Sequence, residues 1–232
     1  MNGEKAMGKV NFGKGKNAGF SLVELIIVIA IIAILTSILV PSLLRYIVKA
    51  QKAADIATAD SIGTTMQYNM YDPTDEGSRA LWDYVSINAG QLASEKKGNA
   101  KKYYRILAYQ SSGTVHKSFD LQKSNNAVSK EQMDLARQQM KDVIVDCEEP
   151  EFQRNNYLDQ WVICCDTEMN IYVFITAGCN GGQYYMDVTG DPKDGLCTIS
   201  GNGGKRNCYM LWPEVGQAYT DLRNTKDSLD VR

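Results

Sequence analysis

Gly19-Phe20-Ser21-Leu22-Val23-Glu24, followed over residues 25–44 by LIIVIAIIAILTSILVPSLL, is the stretch on which the reading of the whole chain turns. The run holds twenty residues without one charge. At about 1.5 Å of rise per residue, an α-helix of that length crosses a hydrocarbon core of about 30 Å. In lipid only a helix or a closed barrel satisfies its own backbone groups, so the many isoleucines do not argue for a strand. Glu24 stands at the edge of this apolar segment, where a carboxylate is costly and by default marks function.

Two bland readings fit less well. A secretory signal peptide has an apolar core of about 7–15 residues with a small-residue cleavage site behind it. Here Gly19 precedes the run, the run is longer, and Arg45-Tyr46-Ile47-Val48-Lys49 follows it. A plain membrane anchor accounts for the length but not for Glu24 or the Gly-Phe junction.

Taken together, Lys16-Asn17-Ala18-Gly19-Phe20-Ser21-Leu22-Val23-Glu24-Leu25 resembles the class III signal of type IV pilins and type II secretion pseudopilins. The resemblance runs from about Lys14 to about Gln51. It implies cleavage between Gly19 and Phe20 by a membrane-embedded prepilin peptidase, which also N-methylates the new terminus at Phe20. Glu24 matches the family's glutamate, and Pro41 falls where these proteins often carry a helix-bending proline. The partners implied are the chain itself and other pilins in a helical filament, the peptidase, the pilus or type II secretion assembly machinery, and the membrane. No cofactor is implied.

The expected fold class is α+β, with a long N-terminal helix packed on an antiparallel β-sheet head. Residues 1–19 form the cleaved leader, 20–44 the membrane and assembly helix, 45–72 its amphipathic continuation, and 73–232 the head with a cysteine-rich end. About 160 residues of head suffice for a single core. Of the 25 basic and 27 acidic residues, four lysines and one glutamate lie in residues 1–19, so that segment carries +3 and the remainder −5. A basic flank before the first apolar segment keeps that end cytoplasmic and sends the C-terminal side outward. An acidic head gives no support for nucleic-acid binding.

Beyond residue 49, Ile56, Ala59, Gly63, Met66 and Met70 recur at helical spacing, with Gln51, Lys52, Asp55 and Asp60 mostly off that stripe. Asp72-Pro73 ends the helix. A short helix over 79–95 capped by Ser78 comes next, with Trp82 and Val85 packed on the long helix. A strand is expected at 103–109, and a helix over 129–141 opens on the capping-box pattern Ser129-Lys130-Glu131-Gln132. Val143-Ile144-Val145 reads as a strand. Strands at 161–165, 171–176 and 183–188 form an antiparallel meander. The Gly- and Asn-rich tail from Thr189 reads as a loop tied to the sheet.

Six cysteines, Cys147, Cys164, Cys165, Cys179, Cys197 and Cys208, all lie in the second half. An even number outside the membrane favours disulfides over free buried thiols, with the pairing left open. Zinc is disfavoured because no C-x-x-C occurs and His116 is the only histidine. Adjacent Cys164 and Cys165 take separate partners. Asp187, Asp191 and Asp194 are hard oxygen ligands suited to calcium, but the EF-hand spacing is absent and solvated turn residues are the preferred reading. Gly201-Asn202-Gly203-Gly204-Lys205-Arg206 lacks the first glycine of a phosphate loop and has Arg206 where Ser or Thr is needed. No triad or carboxylate pair suggests an enzyme. The reading is a structural subunit of a type IV pilus-like filament. The alternatives are a pseudopilin of a secretion or DNA-uptake system and, from a different class, a membrane-anchored adhesion module.

Overall fold

Along strands of the head, apolar residues run almost without interruption, as in Trp161-Val-Ile-Cys-Cys165 and Tyr209-Met-Leu211. A strand reads this way when both of its faces are buried. The computed structural model describes residues 20–72, 74–94, 102–110, 128–144, 158–177, 184–190, 195–201 and 204–222. The chain divides into two units, Met1–Tyr46 and Ile47–Arg232. Helix α1 (Leu22–Tyr71) contributes to both. The second unit adds α2 (Glu76–Ser94), β1 (Lys102–Gln110), α3 (Lys130–Ile144), β2 (Leu158–Cys165), β3 (Ile171–Ala177), β4 (Tyr184–Gly190), β5 (Leu196–Gly201), β6 (Gly204–Trp212) and α4 (Gln217–Asp221).

The architecture is α+β, as expected, but the sheet is not an open meander. All pairings are antiparallel and the six strands close in the order β1-β2-β3-β6-β5-β4. β4 pairs with β1 and β5 rather than with β3, whose second neighbour is β6. The tail beyond Thr189 is therefore no loop: it supplies two strands and α4. Gly201 pairs with Gly204, leaving Asn202-Gly203 between the strands. Asn-Gly between alternating segments is the strongest short hairpin signal, and it is the same stretch that mimics a phosphate loop.

Period-2 alternation sorts the strand residues into two cores. Val162, Cys164, Phe174, Tyr104, Ile106, Val188, Cys197, Ile199, Cys208 and Met210 fill the barrel interior. Trp161, Ile163, Cys165, Ile171, Val173, Ile175, Tyr209 and Leu211 face outward and are covered by helices. On α1 the covering residues are Ala59, Ile62, Met66 and Met70, joined by Leu81, Tyr84 and Val85 of α2 and by Ala136 and Met140 of α3. Between β4 and β5 the hydroxyls of Thr189 and Thr198 lie 3.0 Å apart, and Leu196 is 37% exposed.

Local corrections have local causes. α2 starts three residues earlier than expected because Asp75, not Ser78, caps it: the Ser78 N–H donates to Asp75 Oδ2 at 2.7 Å. Ser78 is itself buried, and its hydroxyl accepts from Gln139 Nε2 at 3.2 Å. The capping box of α3 is present, with Ser129 and Gln132 exchanging bonds of 3.2 Å. Val143 and Ile144 belong to that helix rather than to a strand, and Val145 lies outside the described residues. Val143 falls three residues after Met140 and extends the same buried face.

Gly63 is required by packing. A Cβ built on it would fall within the indole ring of Trp212, which closes β6 over α1. Gly90, on the exposed side of α2, has nothing near it. Gly63→Ala should thus lower unfolding free energy by about 1–3 kcal/mol through overpacking. Gly90→Ala should raise it by about 0.5–1 kcal/mol by removing backbone freedom from a helix interior. Urea titration of the two variants beside the parent measures both; equal effects would contradict the packing of Trp212 on α1.

Candidate assembly segment and the packing around Lys52

The N-terminal unit is a helix apolar on every side. Phe20 is 92% exposed, and none of the side chains over the apolar window is buried. The helix is long and apolar enough to cross a membrane by length and composition. Its polar groups are turned inward on the backbone. The Thr36 hydroxyl donates to the Ile32 carbonyl at 2.6 Å and the Ser37 hydroxyl to the Ile34 carbonyl at 2.7 Å. In lipid such back-bonding spares both donors an unmet hydrogen bond. Pro41 lies inside α1, which continues through it. Proline has no N–H, so the Ser37 carbonyl loses its usual helical donor at that turn.

Glu24 has a role in its own subunit that the sequence reading overlooked. The Ser21 N–H donates to Glu24 Oε2 at 2.8 Å, and the Glu24 N–H donates to Ser21 Oγ at 3.2 Å. This is a reciprocal capping box, and its signal, Ser-x-x-Glu, is plain in the sequence. It satisfies two of the donors that the first turn of a helix leaves open. It also holds the carboxylate beside the start of the helix, where the macrodipole favours negative charge.

At the head end, Lys52 and Asp55, which lie off the apolar stripe, are both engaged by the C-terminal helix. Lys52 Nζ donates to the carbonyls of Tyr219, Thr220 and Leu222 at 2.9, 2.7 and 2.8 Å. These carbonyls belong to the closing turn of α4, which has no further helical donors to offer them. One turn on, Asp55 is 1% exposed and accepts from the Tyr219 hydroxyl at 2.7 Å. The pair locks the C-terminal helix onto α1. No local sequence pattern announces it, because 164 and more positions separate the partners.

The four described cysteines are all buried. Cys164, Cys197 and Cys208 share the barrel interior, where Cys197 stands opposite Cys208 on paired strands. Cys165 sits in the other core, so the adjacent pair is split between two environments. Cys147 and Cys179 lie outside the described residues, as do His116, Asp191 and Asp194. Asp187 lies on β4 in register with Arg105. Among the described residues no His, Cys, Asp and Glu group is placed to hold a metal ion.

Residues 14–40 match the family described as the prokaryotic N-terminal methylation motif. The chain is also similar to the type IV major fimbrial protein FimA of Dichelobacter nodosus, at 33% identity over 85 residues, 37% of this chain and 50% of that protein. A fimbrial protein of the same organism matches at 36% over 67 residues, covering 29% of this chain and 42% of the relative. Its N-terminal segment thus carries the methylation motif and is similar to type IV fimbrial proteins. It spans about half the length of these relatives. No solved structure matches it.

The lock around Lys52 has a pH signature. Burial, and then the neighbouring Asp55 carboxylate, hold the Tyr219 hydroxyl protonated well above its ordinary value. The unfolded chain gives up that proton near pH 10, while the folded chain keeps it. The stabilisation is therefore complete below about pH 10 and falls as the pH rises beyond it. Tyr219→Phe should cost about 1.5–3 kcal/mol at neutral pH and flatten that alkaline fall. Chemical unfolding followed across the alkaline range tests this; an unchanged alkaline slope in Tyr219→Phe would remove Tyr219 from the explanation.

Proposed function

We propose that the chain is a structural subunit of a type IV pilus-like extracytoplasmic filament. The observation that carries this is the methylation motif placed at the head of a helix whose apolar side chains are exposed over residues 22–47. Such a helix has two stable surroundings, lipid before assembly and the helices of other subunits after it. The precursor sits in the membrane with its basic end cytoplasmic and its head outside. Prepilin peptidase then cuts after Gly19 and methylates Phe20. The similarity to fimbrial proteins of Dichelobacter nodosus supports self-assembly.

In the bundle of helices, Glu24 of one subunit meets the positive amine of Phe20 on its neighbour. At about 4 Å such a pair interacts several times more strongly in low dielectric than in water. It offsets the burial of both charges and sets an axial register that apolar contact alone leaves free. The capping box prepares this encounter, since it uses one carboxylate oxygen and leaves the other for the neighbour. Pro41 bends or loosens the helix for packing within the fibre.

The mature protein should begin at Phe20 with an N-methyl group. Intact mass and N-terminal sequencing of membrane-extracted protein check it, and a terminus at Met1 would overturn the processing step. The role of Glu24 separates into cap and charge by substitution. Gln at position 24 still accepts from the Ser21 N–H, whereas Ala does not. Glu24→Gln should be inserted and cleaved normally yet assemble poorly, because an uncompensated charge of a buried pair costs about 3–5 kcal/mol per contact. Normal filaments from Glu24→Gln protein, seen by electron microscopy, would leave the capping box as the whole role of Glu24.

A further inference from the structure

Where α1 ends and α2 begins, Met70, Tyr71, Asp72, Arg79 and Trp82 line a solvent-open cavity of about 290 Å³. We propose that this cavity is a carbohydrate site that takes a neutral pyranose. The proposal concerns the head alone and stands independently of the filament reading.

Its lining is unusual for a protein surface. Tyr71 is 57% exposed and Trp82 38%, and their rings meet edge to face with centroids 5.1 Å apart. That contact fixes both rings, so a wide apolar wall is presented to solvent at little cost in side-chain freedom. Tyr68, one turn earlier on α1, extends the exposed aromatic surface. At the rim stand one anion and one cation. Asp72 is oriented by Thr74, whose N–H and hydroxyl donate to Oδ1 at 2.9 and 2.6 Å. The Arg79 side chain is exposed and has no partner among the described residues.

The chemistry selects the occupant. An apolar wall with a few convergent polar groups is the usual form of a small-molecule site. A polyanion would meet the Asp72 carboxylate, and a cation would meet the Arg79 guanidinium. A quaternary ammonium needs several open ring faces around it, but here the edge of one ring covers a face of the other. A purely apolar ligand would leave both charges without a role. A pyranose has an apolar C–H face to lie on an indole or phenol and a rim of hydroxyls. Those hydroxyls donate to Asp72 and accept from Arg79.

The test uses the full chain in a detergent whose head group is not a sugar. Methyl β-glucoside, methyl β-galactoside, methyl α-mannoside and N-acetylglucosamine are titrated, with saturation-transfer NMR and tryptophan fluorescence as readouts. At least one pyranoside should bind with Kd of about 1 mM or below, typical of a single small ligand. Saturation should be strongest on the C–H protons of one sugar face. Trp82→Ala should raise Kd by at least about tenfold, Asp72→Asn and Arg79→Gln by a few-fold each, and Trp82→Tyr should retain binding. Circular dichroism confirms that the variants stay folded; should Trp82→Ala unfold, the Asp72 and Arg79 variants decide. No binding by any of the four sugars overturns the proposal. So does binding indifferent to Trp82, Asp72 and Arg79, or a sugar-independent fluorescence change that grows with protein concentration, which assigns the cavity to a second copy of the chain.

Discussion

The head depends on strands that are buried twice. Closing β1, β2, β3, β6, β5 and β4 into a barrel leaves the sheet no open edge, which removes the usual route to edge-to-edge aggregation. Closure also demands that every inward position be filled, here by cysteines, aromatics and β-branched residues. The outward face of β1, β2, β3 and β6 is equally apolar and needs a cover. α1, α2 and α3 supply it, so the sheet dictates where the helices lie. On β4 and β5, Thr189 and Thr198 meet through their hydroxyls.

α1 answers two demands along a single helix. Its first half is apolar around its circumference, and its second half narrows to the stripe Ala59, Ile62, Met66 and Met70. Gly63 thins that stripe where Trp212 crosses it. Lys52 and Asp55 then extend the buried side of the helix with polar chemistry, through the carbonyls and the hydroxyl of the α4 region. Burial lowers the Lys52 pKa by desolvation, and the hydrogen bonds that each charged residue makes there offset that cost.

Much of this is legible in the residues, and the remainder fails for identifiable reasons. Helix α1, the strands β1 to β3 and the capping box of α3 follow from local period and local chemistry. Ser21 with Glu24 is equally local, a Ser-x-x-Glu capping box at the head of an apolar helix. The barrel order is different in kind. β3 has no pattern that names β6 as its neighbour, since pairing across some thirty positions rests on the fit of two faces rather than on any motif. Lys52 and Asp55 look like solvated helix residues until Tyr219 is brought against them. The cavity beside Trp82 is likewise assembled from residues of two helices, the end of α1 and the first turns of α2.

Strand order also has a consequence in time. Among the described strands β6 is the last to be synthesised, yet it is inserted between β3 and β5 rather than added at a margin. Until residues 204–212 are available, β3 carries an unpaired edge and the barrel stands open. Five strands therefore exist before the barrel can close, and the arrival of β6 decides when the exposed edge of β3 is covered.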